Sequence, residues 1–316
     1  MRRVVTIVCW VLVVPGLVWA VMRLGGLERG ALAQGVAFTP YVVLWTLVPL
    51  GLALALRRFA AAGVAALVTL ALAAVVVPRA LPDSQPDTTG PALRVMTANL
   101  LFGGADAEAL INLVRDERVD VLALQEFTAE AGNALVRLGL AEVLPYRQLG
   151  AETGAAGSAL YARFPLRDGG VRQNPGGFHQ AYATVQVPGA PPVLVESVHP
   201  MAPYALEALP SWRTDLEAEP PATPDGPLRV LAGDFNATLD HAPLRQLLDT
   251  GYVDAADATG SGLTGTWGPY DGDPLPPIAI DHVLADRRIA VEEVRVHALA
   301  DSDHRPFLAE LSLPAA

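Results

Sequence analysis

Residues 228–236, LRVLAGDFN, run apolar and then stop in a carboxylate and an amide, Asp234 and Asn236. The same ending recurs along the chain. Residues 93–98 lead to Asn99, 119–124 to Gln125-Glu126, and 193–198 to His199. Asp281 interrupts the apolar run 278–284, and DSDHRPF carries Asp303 and His304. Carboxylates and amides hold hard cations, while imidazoles move protons and donate to oxyanions, so this set could handle a metal and a phosphate together. Each member also has an ordinary reading. Gly-Asp-Phe-Asn is a good turn, Glu126 suits the first turn of a helix, and a single His at a strand end is usually just hydrogen-bonded.

These side chains need rigid elements to converge. β-branched and aliphatic runs predict strands at 93–98, 119–124, 157–166, 180–187, 193–198, 228–234, 278–284, 291–298 and 306–313. The spacing of Leu110, Ile111, Leu113 and Val114 predicts an amphipathic helix over 106–117, and further helices are expected from Thr128, over 204–217 and over 241–248. Pro210 should delay or kink the third of these. Gly233 offers a sharp exit from its strand, and Asp281, inside an apolar run, requires a partner because an unpaired buried charge is costly. The Gly-, Asp- and Pro-rich stretch 260–277, around Thr266-Trp267, reads as the rim of a cleft.

Composition splits the chain. Three apolar stretches, 4–22, 36–56 and 59–77, each approach the roughly 20 residues that cross a bilayer, and none carries a mid-span charge. A channel or transporter would want intramembrane polar groups, so an anchor suffices. Arg2-Arg3 and Arg57-Arg58 place both of their segments on the cytoplasmic side and the C-terminal part outside. The first stretch could instead be a signal peptide cleaved near Ala31-Leu32-Ala33, which leaves that sidedness unchanged. Residues 1–78 thus read as a membrane anchor, 79–91 as an extended Pro/Asp/Ser/Thr tether, and 92–316 as a separate folded domain. From Gly90 onward 15 Arg face 30 Asp and Glu, which argues against a polyanion-coating role. The lone Cys9 allows no intrachain disulfide, and no obligate protein partner is evident.

In order and spacing, TANL, LQE, GSALYARFPL, VHP, GDFN, IDHVL and SDHRP resemble the motifs of the endonuclease/exonuclease/phosphatase superfamily across residues 93–313. The resemblance implies an α/β fold, a two-sheet β-sandwich flanked by helices, with strand ends meeting at one cleft. It also implies Mg²⁺-dependent hydrolysis of a phosphoester, with Mn²⁺ as a possible substitute. On that pattern Glu126, Asn99 and Asp303 serve the metal, Asp234 orients or deprotonates water, and Asn236 steadies it or a phosphate oxygen. His199 and His304 donate to phosphate oxygens, and Asp281 pairs with His304. Tyr161 and Trp267 are candidates for substrate contact. Nucleic acid, a nucleotide and a phospholipid headgroup are all open as substrates, and so is a non-catalytic module that binds a phosphorylated ligand in the same cleft.

Overall fold

The computed structural model describes residues 2–268 and 275–316. Helices α1 (Arg2–Gly25), α2 (Ala31–Gly35), α3 (Thr39–Ala55) and α4 (Phe59–Val76) come first. Three helical segments, Arg2–Gly25, Ala31–Ala55 and Phe59–Ala80, are long and apolar enough to cross a membrane. Side chains such as Leu44, Val48 and Leu67 stay exposed on them, as expected of surfaces whose solvent is hydrocarbon rather than water.

Strands β1 (Ala92–Asn99), β2 (Val121–Gln125), β3 (Tyr146–Gly150), β4 (Ser158–Ala162), β5 (Leu166–Gln173), β6 (His179–Val185), β7 (Val193–Val198), β8 (Leu228–Asp234), β9 (Tyr252–Asp254), β10 (Asp281–Asp286), β11 (Ala290–Val296) and β12 (Phe307–Ser312) follow. They form two six-stranded sheets, ordered β11-β12-β1-β2-β4-β3 and β5-β6-β7-β8-β10-β9. Each sheet has one parallel pair, β1 with β2 and β7 with β8, so those four strands run from one end of the sandwich to the other in register. The inner faces pack Val95, Ala123 and Leu160 against Val195, Val230 and Val283.

Helices α5 (Ala107–Asp116), α6 (Ala129–Arg137), α7 (Leu140–Val143), α8 (Leu209–Glu217), α9 (Ala242–Asp249) and α10 (Ala255–Ala258) cover the outside. α5 buries the predicted stripe, Leu110, Ile111 and Val114, and Asp106 caps it by accepting from the N–H groups of Glu108 and Ala109. Thr128 caps α6 in the same way through Ala131 N–H, which frees Glu126 from any capping task. α8 starts only at Leu209, with Pro210 in its first turn where a missing N–H costs nothing. Trp212 of α8 packs under the second sheet with Leu216, Phe235 and Leu244, and truncating such a fully buried indole to Ala costs about 3–5 kcal/mol.

Three expectations need correction. Asp281 opens β10 instead of lying mid-strand, because Pro276 and Pro277 withhold ladder donors and the Ile280 and Asp281 N–H groups bond Thr266 Oγ1. Gly233 is a paired strand residue; a Cβ there would lie 1.9 Å from Val198 O, so glycine admits the close approach of β7. Residues 79–91 are not a free tether. Pro82 bridges Thr259, Gln85 bonds Ala258 O and Val291 N–H, and Gly90 N–H bonds Leu313 O, so the segment lies along the sandwich. Strands β3, β5 and β9 carry no clean apolar alternation and escape a reading of periodicity.

Candidate active site

β1, β2, β7 and β8 all finish at one end of the sandwich, and their terminal or next residues are Asn99, Glu126, His199 and Asp234. Antiparallel pairing sets Asp281 directly opposite Asp234, which places two carboxylates from neighbouring strands at the same depth. Asn99 is the hinge of the cluster. Its Nδ2 donates to Glu126 Oε1 and to Asp234 Oδ2, both at 3.1 Å, while its Oδ1 accepts from Leu101 N–H at 3.0 Å. One amide therefore links a carboxylate of the first sheet to one of the second and screens their repulsion.

Two of these residues sit in left-handed backbone: Glu126 at φ 55° and Asn236 at φ 49°. Asn tolerates that region, whereas Glu does so rarely, and such conformations store about 1–3 kcal/mol each. At Glu126 the strain is offset locally. The carboxylate turns back so that Oε2 accepts from Phe102 N–H at 2.6 Å. Asn236 N–H donates to Asp234 Oδ1 at 2.8 Å, and its Nδ2 donates to Pro200 O at 3.1 Å, tying the loop after β8 to the loop after β7.

His304 is held by Asp281, with Nδ1 at 2.9 Å from Oδ2 and 3.1 Å from Oδ1. Its Nε2 points toward Asp234 Oδ2 at 3.5 Å. Burial works against a charged imidazole here, but the charges of Asp281 and Asp234 outweigh it and push His304 up to about 10. His199, stacked on Phe178, has Nε2 at 3.7 Å from the same Asp234 oxygen, and burial lowers its pKa. The two imidazoles thus differ, one cationic and one neutral. Asp234 is raised from the usual carboxylate range, chiefly by burial and also by Asp281, with His304 and His199 opposing.

Asp234, Asp281 and His304 offer ligand atoms within 4.8 Å of one another, a spacing compatible with a metal. The Asp281–His304 hydrogen bond occupies Nδ1, so His304 could reach a cation only through Nε2. Oxygen donors suit a hard cation better. Glu126 and Asp234 supply them, and Asp303 Oδ1 has no hydrogen-bond partner and lies 4.0 Å from His304 Nε2, so it too can offer an oxygen. The donor set therefore fits a divalent ion such as Mg²⁺.

The sequence candidates largely converge. Asn99, Glu126, His199, Asp234, Asn236, Asp281, Asp303 and His304 meet at one end of the sandwich. Trp267 is there too, but its indole N–H donates to Asp303 Oδ2 at 2.9 Å and its backbone bridges His304, so it braces the final loop. Tyr161 is a correction: strand alternation turns it into the helix-covered core against Phe127, where burial pushes its phenol up to about 12, and it cannot reach substrate. Residues 269–274 of the expected rim lie outside the described residues. Sequence reading put Thr266 on the rim but not in its role of holding the start of β10, and it missed Ser302, whose Oγ donates to Asn99 O and accepts from His304 N–H. Ser302 sits within the DSDH motif, so its position was a signal; Thr266 offered none.

The endonuclease/exonuclease/phosphatase family model matches residues 96–304. No curated protein matches the sequence. Among solved structures, an endonuclease/exonuclease/phosphatase from Beutenbergia cavernae is 21% identical at TM-score 0.57, the match covering 71% of this chain and 72% of that one. D. rerio TDP2 complexed with a single-strand DNA product is 14% identical at TM-score 0.54, covering 70% and 98%. Sphingomyelinase C from Streptomyces griseocarneus is 17% identical at TM-score 0.50, covering 70% and 99%. At these identities the likeness is one of fold.

Proposed function

This chain belongs to the endonuclease/exonuclease/phosphatase family, whose members are metal-dependent phosphoesterases, and from that premise we propose that it is a membrane-anchored, Mg²⁺-dependent phosphoester hydrolase. Residues 1–78 anchor it, 79–91 connect, and 92–316 carry the chemistry on the extracytoplasmic side, an orientation supported by Arg2, Arg3, Arg57 and Arg58. The observation that carries the reading is the unbroken polar chain Glu126–Asn99–Asp234–His304–Asp281, which joins both sheets.

Glu126 and Asp303, with Asn99 beside them, would hold the cation, which when bound neutralises phosphate charge and polarises the ester. The protein's own groups do the rest. Separations of 3.5 and 3.7 Å between Asp234 Oδ2 and the two imidazoles exceed good hydrogen bonds, so these groups keep hydrogen-bonding capacity for a water or a phosphate oxygen beside them. Asp234 accepts a proton from attacking water, and its raised pKa suits it to that task. His304, kept protonated by Asp281, donates through Nε2 to the oxygen on which charge builds. His199 adds a neutral donor, and Asn236 fixes the Asp234 rotamer through its N–H.

Turnover of bis(p-nitrophenyl) phosphate by the full chain in detergent tests the reading. EDTA should abolish it and Mg²⁺ restore it; turnover indifferent to both would sink the proposal. Binding of phosphorylated ligands without turnover in either Mg²⁺ or Mn²⁺ would favour the non-catalytic module instead.

A further inference from the structure

The membrane helices do not hold the sandwich at arm's length; they dock on the end that carries the site. Three loops leaving that end run directly onto them. After His199, Pro203 O accepts from Gln34 Nε2 at 2.6 Å. After Asn236, Leu239 O accepts from Arg23, Asp240 pairs with Arg23 at 2.5 Å and Arg79 at 2.7 Å, and His241 Nε2 lies 2.8 Å from Ala33 O. Beyond Trp267, Pro277 O accepts from Tyr41 Oη at 2.6 Å. Ala33 of α2 is buried in the same apolar cluster as Trp212 and Phe235.

The connection makes this arrangement deliberate in physical terms. α4 leaves the membrane at the site end, where Arg79 meets Asp240, yet β1 must begin at the opposite end, where Gly90 bonds Leu313. Residues 81–91 therefore travel back along the whole sandwich before the first strand starts. A shorter link would have set the far end on the membrane. An extended, ordered segment costs conformational entropy, and here it serves to turn the sandwich cleft-first toward the helices.

α2 opens the second candidate span, which runs from Ala31 to Ala55, so the segment that holds Pro203 and His241 continues directly into an apolar helix. Tyr204 and Leu206, just beyond the residue that Gln34 holds, are 73% and 58% exposed, and Leu275, near the Tyr41 contact, is 51% exposed. Exposed aromatic and aliphatic side chains beside candidate spans are at home in a lipid interface and wasteful in water. The site-bearing part is also strongly acidic, which disfavours a polyanionic strand as substrate.

We propose that the cleft faces the membrane that carries the protein and that its substrate is a phosphoester borne by a lipid of that membrane, with the rim at Tyr204 and Leu206 resting among the headgroups. This rests on the phosphoesterase reading above and narrows its substrate class. The test reconstitutes the full chain in phosphatidylcholine vesicles carrying, in turn, phosphatidylglycerol, a phosphatidylinositol phosphate, sphingomyelin or phosphatidic acid, with Mg²⁺. Release of phosphate or water-soluble headgroup is followed beside hydrolysis of bis(p-nitrophenyl) phosphate and a single-stranded oligonucleotide. Hydrolysis of at least one vesicle lipid is expected, and Tyr204→Glu with Leu206→Glu should slow it at least about tenfold, since orientation at the interface is lost, while leaving the soluble diester untouched. Activity on the soluble diester or oligonucleotide with no lipid hydrolysed would overturn the inference and leave the phosphoesterase reading standing. So would lipid hydrolysis indifferent to the two charges, which would remove the membrane-facing rim. No hydrolysis of any substrate would bring down the phosphoesterase reading itself.

Discussion

Asp234 and Asp240 stand six positions apart, both fully buried, and have opposite surroundings. Asp240 is gripped by two guanidinium groups, Arg23 and Arg79; burial opposes its charge, but they prevail and hold its pKa below the usual carboxylate range. At Asp234 burial raises the pKa, and the charges that shift it are those of His304, Asp281 and His199. The second carboxylate, Asp281, pushes the same way as burial, and the two imidazoles and the Asn236 N–H oppose them. Arginine never gives up its proton in a protein, so the Asp240 cluster is permanently paired and suited to fastening. Imidazoles titrate, so the Asp234 cluster stays able to exchange protons and to accept another cation. The chain thus shows one residue type used for docking and, one turn of loop away, for chemistry.

Substituting each carboxylate should separate these uses. Asp234→Asn should lower kcat for bis(p-nitrophenyl) phosphate by about 10²-fold or more while the melting temperature holds or rises, because a desolvated, repelled carboxylate is removed. Near-normal turnover would end the comparison. Asp240→Asn leaves two buried guanidinium groups with one neutral partner, and loss of a buried ion partner costs about 3–5 kcal/mol. It should therefore lower thermal stability and expose residues 79–91 to protease, with the soluble diester still hydrolysed by the molecules that remain folded.

A pH profile sharpens the contrast. Asp281→Asn should move the alkaline limb of activity down toward neutrality, because His304 loses the hydrogen-bonded carboxylate that does most to hold it at about 10. The sign for stability runs the same way: the His304 pair stabilises fully below the ordinary imidazole value of about 6.5 and fades as pH rises through the raised one. An unmoved limb would remove His304 from the proton inventory. The smallest effect is expected at Glu219, which shares Arg172 with Glu196 behind β6. Burial first, then Glu196, push its pKa to about 8 against Arg172, so two acids divide one base. A raised acid loses stability as pH climbs from the ordinary range through 8, so Glu219→Gln should be nearly neutral below the ordinary carboxylate range and increasingly protective in thermal melts as pH rises toward 8, with no further gain above it. A marked loss at pH 7 would mean that the carboxylate is ionised in its pair with Arg172.

Much of this architecture was legible beforehand because it rests on local chemistry. Apolar length marked the three spans, alternation marked the inner strands, and the polar residue closing each run marked Asn99, Glu126, His199 and Asp234. Tyr161 shows where that logic fails: both faces of β4 are buried, Tyr161 under the helices and Leu160 and Ala162 between the sheets, so being next to the right strand does not put a side chain in the cleft. Asp281 shows the same for boundaries, since prolines and Thr266 decided where β10 begins.

The amino-acid sequence by itself determined which residue types stand at which strand ends, the three apolar N-terminal segments, and the family pattern that joins the strand ends, because each depends on neighbours within a few positions. Only the tertiary structure decided that Asn99 bridges the two sheets, that Asp281 faces Asp234, and that residues 79–91 lie flat and turn the cleft toward the helices. Those facts join groups dozens to hundreds of positions apart. Their energies come from packing and charge pairing that exist only once the chain has closed on itself.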